Sequence, residues 1–358
     1  MSTVKFSDFP PEIIERIVNF LSVKDALKLY SICKKNNSFG ITFQNRCKLK
    51  IDNLKLKTIN RLKFKELELT FGRLNERTFN TYKKFMKSQG LNIRYLKISN
   101  IKNAYIADFL DTIRDKRIDE LSLIVDSPTY IDFQDLNVKI LNLELLKTTK
   151  VSLIFAEKST NEKALDSQNK VLEKSQEVTI LNRQTGSLLN TRGFGLLSIK
   201  QCLRSSTKFV YESFKFSGAK FENLDLTMSK NSRCLITFRS TQDISIENLS
   251  VNNAKGIVVK VKDQNIQIKK FFFSSHEQDE CNITFISGGS VEIEELFLDI
   301  LSKNPVIVFH SKEAITIKKI FLKTDCISSN VFFWFSPRNH GGIVKEIQSN
   351  KPINITHI

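Results

Sequence analysis

The four histidines, at positions 276, 310, 340 and 357, stand apart from one another. None pairs with another at i+3 or i+4, and no H-E-x-x-H run appears, so no helix face offers two imidazoles to a metal. His276, Asp279, Glu280 and Cys281 lie close together, but within what reads as one loop of a repeat. That spacing predicts a solvated turn and not a metal site. No G-x-S-x-G elbow and no G-x-x-x-x-G-K-[ST] phosphate loop is present. Gly193-Phe194-Gly195 lacks the phosphate-loop lysine and, like Gly186, reads as loop punctuation. Asp243, Glu247, Glu292 and Glu294 fall in strand-like segments. Acid–base cleavage of a polysaccharide would need two such carboxylates facing each other across one groove, and Lys is equally common there. The expectation is a chain with no catalytic residue, no cofactor and no metal ligand.

The six cysteines, at 33, 47, 202, 234, 281 and 326, are scattered, with no C-x-x-C pair. In a chain whose first residues lack an apolar signal stretch they read as reduced, mostly buried thiols. A cytoplasmic or nuclear protein is expected. No apolar run approaches the roughly 20 residues of a membrane helix. The densest, Val331 to Phe335, holds the single Trp, at 334. The expectation is that Trp334 closes the core of the last repeats; the alternative is an exposed anchor for a partner.

The 358 residues are 41% hydrophobic and 26% charged, a folded composition with length for two or three units. The net charge is +17, and residues 1–100 hold 21 Lys or Arg against 8 Asp or Glu. The densest part runs from Lys24 to Lys65 and includes Lys34, Lys35, Arg46, Lys48, Lys50, Lys55, Lys57, Arg61 and Lys63. A solvated face explains such a patch; an acidic protein partner or, less readily, a nucleic acid would also be attracted. Regular aromatic interleaving of the kind that stacks bases is missing.

Two short helices should position whatever the N-terminus does. Pro10 and Pro11 suit a helix start, Glu12 and Glu15 complement its positive end, and Ile13, Ile14, Ile17, Val18 and Leu21 make one apolar stripe. Ser22, three residues before Asp25, caps a second helix carrying Ala26, Leu27, Leu29, Tyr30, Ile32 and Cys33. Phe39 to Cys47 would be a third, poorer helix. A hairpin of two such helices exposes more apolar surface than it can bury on itself, so the rest of the chain or a partner must cover it.

Residues 6–39, FSDFPPEIIERIVNFLSVKDALKLYSICKKNNSF, resemble an F-box. Phe9-Pro10-Pro11-Glu12 fits its opening, Ile13, Ile17 and Leu21 its first helix, and Asp25, Leu27, Leu29, Ile32, Cys33 and Lys34 its second. The third helix offers Phe39 and Phe43 where the family often has Trp. The resemblance implies a trihelical module docking a Skp-type adaptor, and through it a cullin scaffold, in an SCF-type ubiquitin ligase. It implies contact through Phe9, Pro10, Ile13, Ile14, Ile17, Leu21, Leu27, Leu29, Ile32 and Cys33. The unknown protein target would then sit on the remainder of the chain. The alternative is a basic nucleic-acid-binding or scaffold protein using Lys24 to Lys65.

From residue 60 on, apolar-x-apolar segments recur, often behind a charged pair. They centre on Leu67, Leu96, Leu121 and Leu141, then on Leu224, Leu249, Phe271, Leu296, Ile320 and, more weakly, Ile347. The later spacings are 25, 22, 25, 24 and 27 residues. A period near 25 marks a solenoid whose stacked strands form apolar ladders, and the 28 Phe suit them. In the first half the returns look helical, over Asn75 to Gln89 and Asn103 to Lys116, in the manner of an irregular leucine-rich repeat. In the second half they look like strands, at Leu235, Ile257, Ile283, Val306 and Val331. An F-box followed by such a region is similar to the large nematode-expanded F-box families. The fold expected is therefore α+β, a small trihelical F-box followed by a β-rich, leucine-rich-repeat-like solenoid. Its parts are an F-box at 1–47, strand–helix repeats at 48–155, a polar surface loop at 156–176 and β-rich repeats at 177–358.

Overall fold

A computed structural model describes residues 9–22, 24–26, 28, 41–44, 46–51, 62–148, 150–155, 176–184, 186–194, 198–205, 210–218, 220–229, 232–240, 242–262, 264–276, 281–302, 305–324, 331–337, 342–350 and 353–357. The chain divides into two compact units, one formed by 1–127 with 135–144, the other by 128–134 with 145–358. Both are built mainly of stacked β-strands, with few and short helices. Among the described residues no helix is long and apolar enough to cross a membrane.

In the first unit, helix α1 spans Pro11–Phe20, with Pro10 at its N-cap. Strands β2 (Cys47–Lys50), β4 (Glu66–Thr70), β5 (Asn92–Lys102), β6 (Arg117–Asp126) and β8 (Asn137–Leu145) lie side by side in that order. Leu67 pairs in parallel with Leu96, and Leu96 with Leu121, the anchors that the sequence repeat marks. Helix α2 (Glu76–Ser88) returns the chain between β4 and β5, and α3 (Asn103–Asp111) between β5 and β6. Asn75 caps α2 through its side chain, which accepts from Thr78 N at 3.0 Å while Thr78 Oγ1 accepts from Asn75 N. The buried aromatic face of α2 packs on α3, with Tyr82 stacked on Phe109 at 4.8 Å.

The third N-terminal helix expected at Phe39 to Cys47 is not seen among the described residues of that stretch. Ile41–Phe43 is strand β1, paired in parallel with β3 (Leu62–Phe64), and Cys47 opens β2. Phe43 stacks on Phe64 at 5.1 Å and is buried. Ile41 and Thr42 are β-branched and favour extended backbone. A strand partner twenty-one residues on outweighs the weak helical pattern. No trihelical N-terminal domain is seen among the described residues, and Ile41–Phe43 and Cys47 are strand residues.

The second unit is a β-solenoid of two sheets. Sheet I holds β10 (Gln176–Asn182), β11 (Ser187–Phe194), β14 (Lys220–Thr227), β16 (Ile244–Asn252), β18 (Ile266–Ser275), β20 (Val291–Ile300), β22 (Ile315–Lys323) and β24 (Gly342–Ser349), in that order. Sheet II holds β7 (Tyr130–Asp132), β9 (Lys150–Ile154), β12 (Ser198–Ser205), β13 (Val210–Ser217), β15 (Ser232–Arg239), β17 (Gly256–Val261), β19 (Asn282–Ser287), β21 (Val306–Ser311), β23 (Val331–Pro337) and β25 (Ile353–His357), likewise. From β14 onward each turn contributes one strand to each sheet, and all these strands stack in parallel. Leu224, Leu249, Phe271, Leu296, Ile320 and Ile347 pair in succession. The second-half spacing read from the sequence is thus the register of sheet I.

Gly186 adopts φ 75° in the β10–β11 turn, a conformation glycine takes without strain. Gly193 does not punctuate a loop: it lies inside β11, where the register with β14 shifts between Arg192 and Gly193. A strand glycine at a bulge is the alternative meaning of the same residue. The polar stretch 156–175 lies outside the described residues.

Candidate functional site

Helix α1 owes its start to Pro10 and Pro11 and places Glu12 in its first turn. Its stripe is split in use. Val18 is fully buried, α1 lies against β1, and Asn19 Oδ1 accepts a 3.0 Å hydrogen bond from Gln44 N. Ile14, Ile17 and Leu21 are half-buried. Phe9 and Ile13 stay 40% and 39% exposed, and Phe20 is 90% exposed. Pro10 is exposed at the same end. Phe20 is absent from the contact set that the sequence singles out, although it stands seven residues after Ile13 and so on the same flank of the helix.

Ser22 caps the following segment as its spacing predicts. Its Oγ accepts from Asp25 N at 3.2 Å and donates to Asp25 Oδ2 at 2.6 Å. That bond, with Lys28 alongside, holds the Asp25 carboxyl below the usual carboxylate range. Leu27, Leu29, Ile32 and Cys33 lie outside the described residues, so six of the ten adaptor-contact candidates have a place in the structure.

The basic region is partly neutralised from within. Arg46 lies 3.7 Å from Glu66 and stacks over the Tyr95 ring at 3.9 Å, and Lys48 reaches Glu68 at 3.6 Å. Lys34, Lys35, Lys55, Lys57 and Arg61 lie outside the described residues.

The carboxylates singled out in the sequence are each engaged on sheet I or its edge. Glu247 pairs with Lys269 at 2.8 Å, while Glu292 and Glu294 share Lys318 at 3.0 and 2.9 Å. Asp243 accepts from the Asn265 backbone and side chain. The strand pairing skips Glu247, Lys269, Glu294 and Lys318, so two adjacent side chains face outward at that corner of each turn. This is the charged pair that precedes each repeat. Glutamates and lysines alternate from turn to turn and satisfy one another.

His276 is exposed and Cys281 buried, so these two ends of the candidate metal cluster are unlike in exposure; Asp279 and Glu280 lie outside the described residues. Among the described residues no group of three or more His, Cys, Asp or Glu converges.

Trp334 corrects its sequence expectation. It is 41% exposed on the outer side of sheet II, while its neighbour Phe333 is fully buried. In VFFWF every residue is apolar, so nothing local says which parity faces in. The register settles it: Phe333 stacks below Ile307 and Trp334 below Val308.

A shallow notch of about 220 Å³ opens on the same sheet, lined by Tyr211, Arg233, Leu235, Gly256, Val258 and Lys260 among others. Gly256 permits it, since a Cβ there would stand 2.8 Å from the Asn282 carbonyl oxygen.

No family model matches this chain, and neither a curated protein nor a solved structure matches it. The likeness to an F-box therefore rests on the residues 6–39 themselves.

Proposed function

We propose that the chain is the substrate receptor of an SCF-type ubiquitin ligase. The observation that carries this reading is the exposure of two large apolar side chains on α1, Ile13 at 39% and Phe20 at 90%. An amphipathic helix of this kind docks in the groove of a partner, with apolar anchors supplying the affinity. In this reading the partner is a Skp-type adaptor bound to a cullin. The solenoid holds the target protein. Its contribution to ubiquitin transfer is effective concentration, since it keeps a target lysine near a charged conjugating enzyme. No group of this chain takes part in the chemistry.

The test is co-expression of the full chain with a Skp-type adaptor. The two are expected to co-purify, and Ile13→Asp is expected to separate them, because burying an unpaired carboxylate in an apolar interface costs several kcal/mol. Ile13 is exposed, so the variant should keep the wild-type circular dichroism spectrum and thermal midpoint. A folded wild type that leaves the adaptor in the flow-through would refute the reading.

A further inference from the structure

The outer faces of the two sheets differ in charge. On sheet I, Glu and Lys alternate and pair. On sheet II, the outward positions of β13, β15, β17, β19 and β21 carry Lys215, Arg233, Arg239 and Lys260 and, among the described residues, no carboxylate. The one acid of these strands, Glu212, points inward and is fully buried. Lys215, Arg239 and Lys260 enter no ion pair among the described residues.

Between the basic residues runs a half-exposed, mainly apolar line interrupted by Thr284. Leu235, Val258, Thr284, Val308 and Trp334 pair in succession from β15 to β23. Tyr211 and Ile286 stand exposed on either side of it. Strands spaced about 4.8 Å apart make this line roughly 20 Å long, the span of about six extended residues.

We propose that this face docks an acidic protein segment in extended form, whose apolar side chains lie on the Leu235–Trp334 line and whose Asp and Glu meet Lys215, Arg239 and Lys260. The notch above Gly256 seats one apolar side chain beside Arg233. The proposal rests on the receptor reading for its biological meaning, and it names the chemistry of the target. A nucleic acid fits less well. The centre of the line is Val258, Thr284 and Val308, and the aromatic rings stand only toward its ends, so successive bases have no stacking platform. Charge complementarity then sets orientation and encounter, and the Trp and aliphatic contacts set residence.

The experiment immobilises the full chain and selects from a displayed library of random 15-residue peptides, with single-stranded dT20 and phosphatidylserine vesicles as separate probes. Enriched peptides are expected to combine Asp or Glu with aliphatic or aromatic residues. The chosen peptide should bind K260E/W334A at least about tenfold more weakly. K270S/K318S, on sheet I, should bind as wild type. Lys260, Trp334 and Lys270 are exposed and Lys318 is half-buried, so thermal midpoints of both variants are compared with wild type, and adaptor co-purification by each reports on the N-terminus separately. Recovery of neutral or basic peptides, no enrichment over blank support, binding unchanged in K260E/W334A, or preference for dT20 or the vesicles would each overturn the proposal.

Discussion

Ser187 Oγ donates a 2.6 Å hydrogen bond to Glu212 Oε1 in a part of the solenoid where both side chains are covered. Gln201 Nε2 donates to the same oxygen. Glu212 sits on the rung occupied in later turns by Cys234, Ile257, Ile283, Ile307 and Phe333. It is the polar first step of an otherwise apolar ladder, at the place where antiparallel pairing of β12 with β13 gives way to parallel stacking. Glu212→Ala is therefore expected to destabilise by about 3–5 kcal/mol, since it removes the acceptor and leaves buried donors behind. Urea midpoints of the single variant and of the apolar triple variant S187A/Q201L/E212L check this. The triple variant should recover part of the loss, because the Ser187 and Gln201 donors are removed together with their acceptor.

The run Phe271-Phe272-Phe273 divides by parity. Phe271 and Phe273 are fully buried, Phe272 is 39% exposed, and Phe271 packs edge-on to Phe285 at 5.4 Å across the two sheets. Phe273→Ala should cost about 3–5 kcal/mol through the cavity it opens, while Phe272→Ala should cost under about 1 kcal/mol. Equal losses at both positions would show that the register is not the one described.

That parity also explains how much was legible in advance. In sheet I the segments alternate and carry a charged pair, so Leu224, Leu249, Phe271 and their successors announce both the strand and its inward face. In sheet II they do not. CLITF and PVIVF are apolar at nearly every position, and the inward residues are Cys234 and Ile307, one step from Leu235 and Val306. Trp334 is missed for the same reason. Helices α2 and α3 are readable because their apolar and aromatic stripes, Phe79, Tyr82, Phe85 and Met86 in one and Ile106, Phe109 and Leu110 in the other, recur at helical spacing over about two turns. Ile41–Phe43 is too short for any periodicity, and only its pairing with β3 makes it a strand. The exposed part of α1 follows from its pattern. The carboxylate-free face of sheet II does not, since it exists only after the outward parity of five strands is known together.

Cys234 and Cys281 put the closed core to a chemical test. Both thiols are buried among inward residues of sheet II. Burial pushes the Cys281 thiol up to about 12 from 9.0, and it raises Cys234 as well, with the Glu212 carboxylate, its rung partner on the neighbouring strand, adding to the shift. Below about pH 7.5 these thiols are protonated in both the folded and the unfolded chain and leave stability unaffected by pH. Above it the unfolded chain loses those protons while the folded chain keeps them, so folding stability falls as pH rises toward 12, by at most about 1.4 kcal/mol per pH unit for each thiol. Urea unfolding in reducing buffer at pH 7, 9 and 10.5 should show this decline, and Cys281→Val should make it shallower by one thiol. At pH 8 an aromatic disulfide reagent should leave Cys234 and Cys281 unlabelled in the native chain and label both in urea, with peptide mass spectrometry assigning the sites. Rapid native labelling at either position would mean that the turns of sheet II open far more readily than their stacked ladder implies.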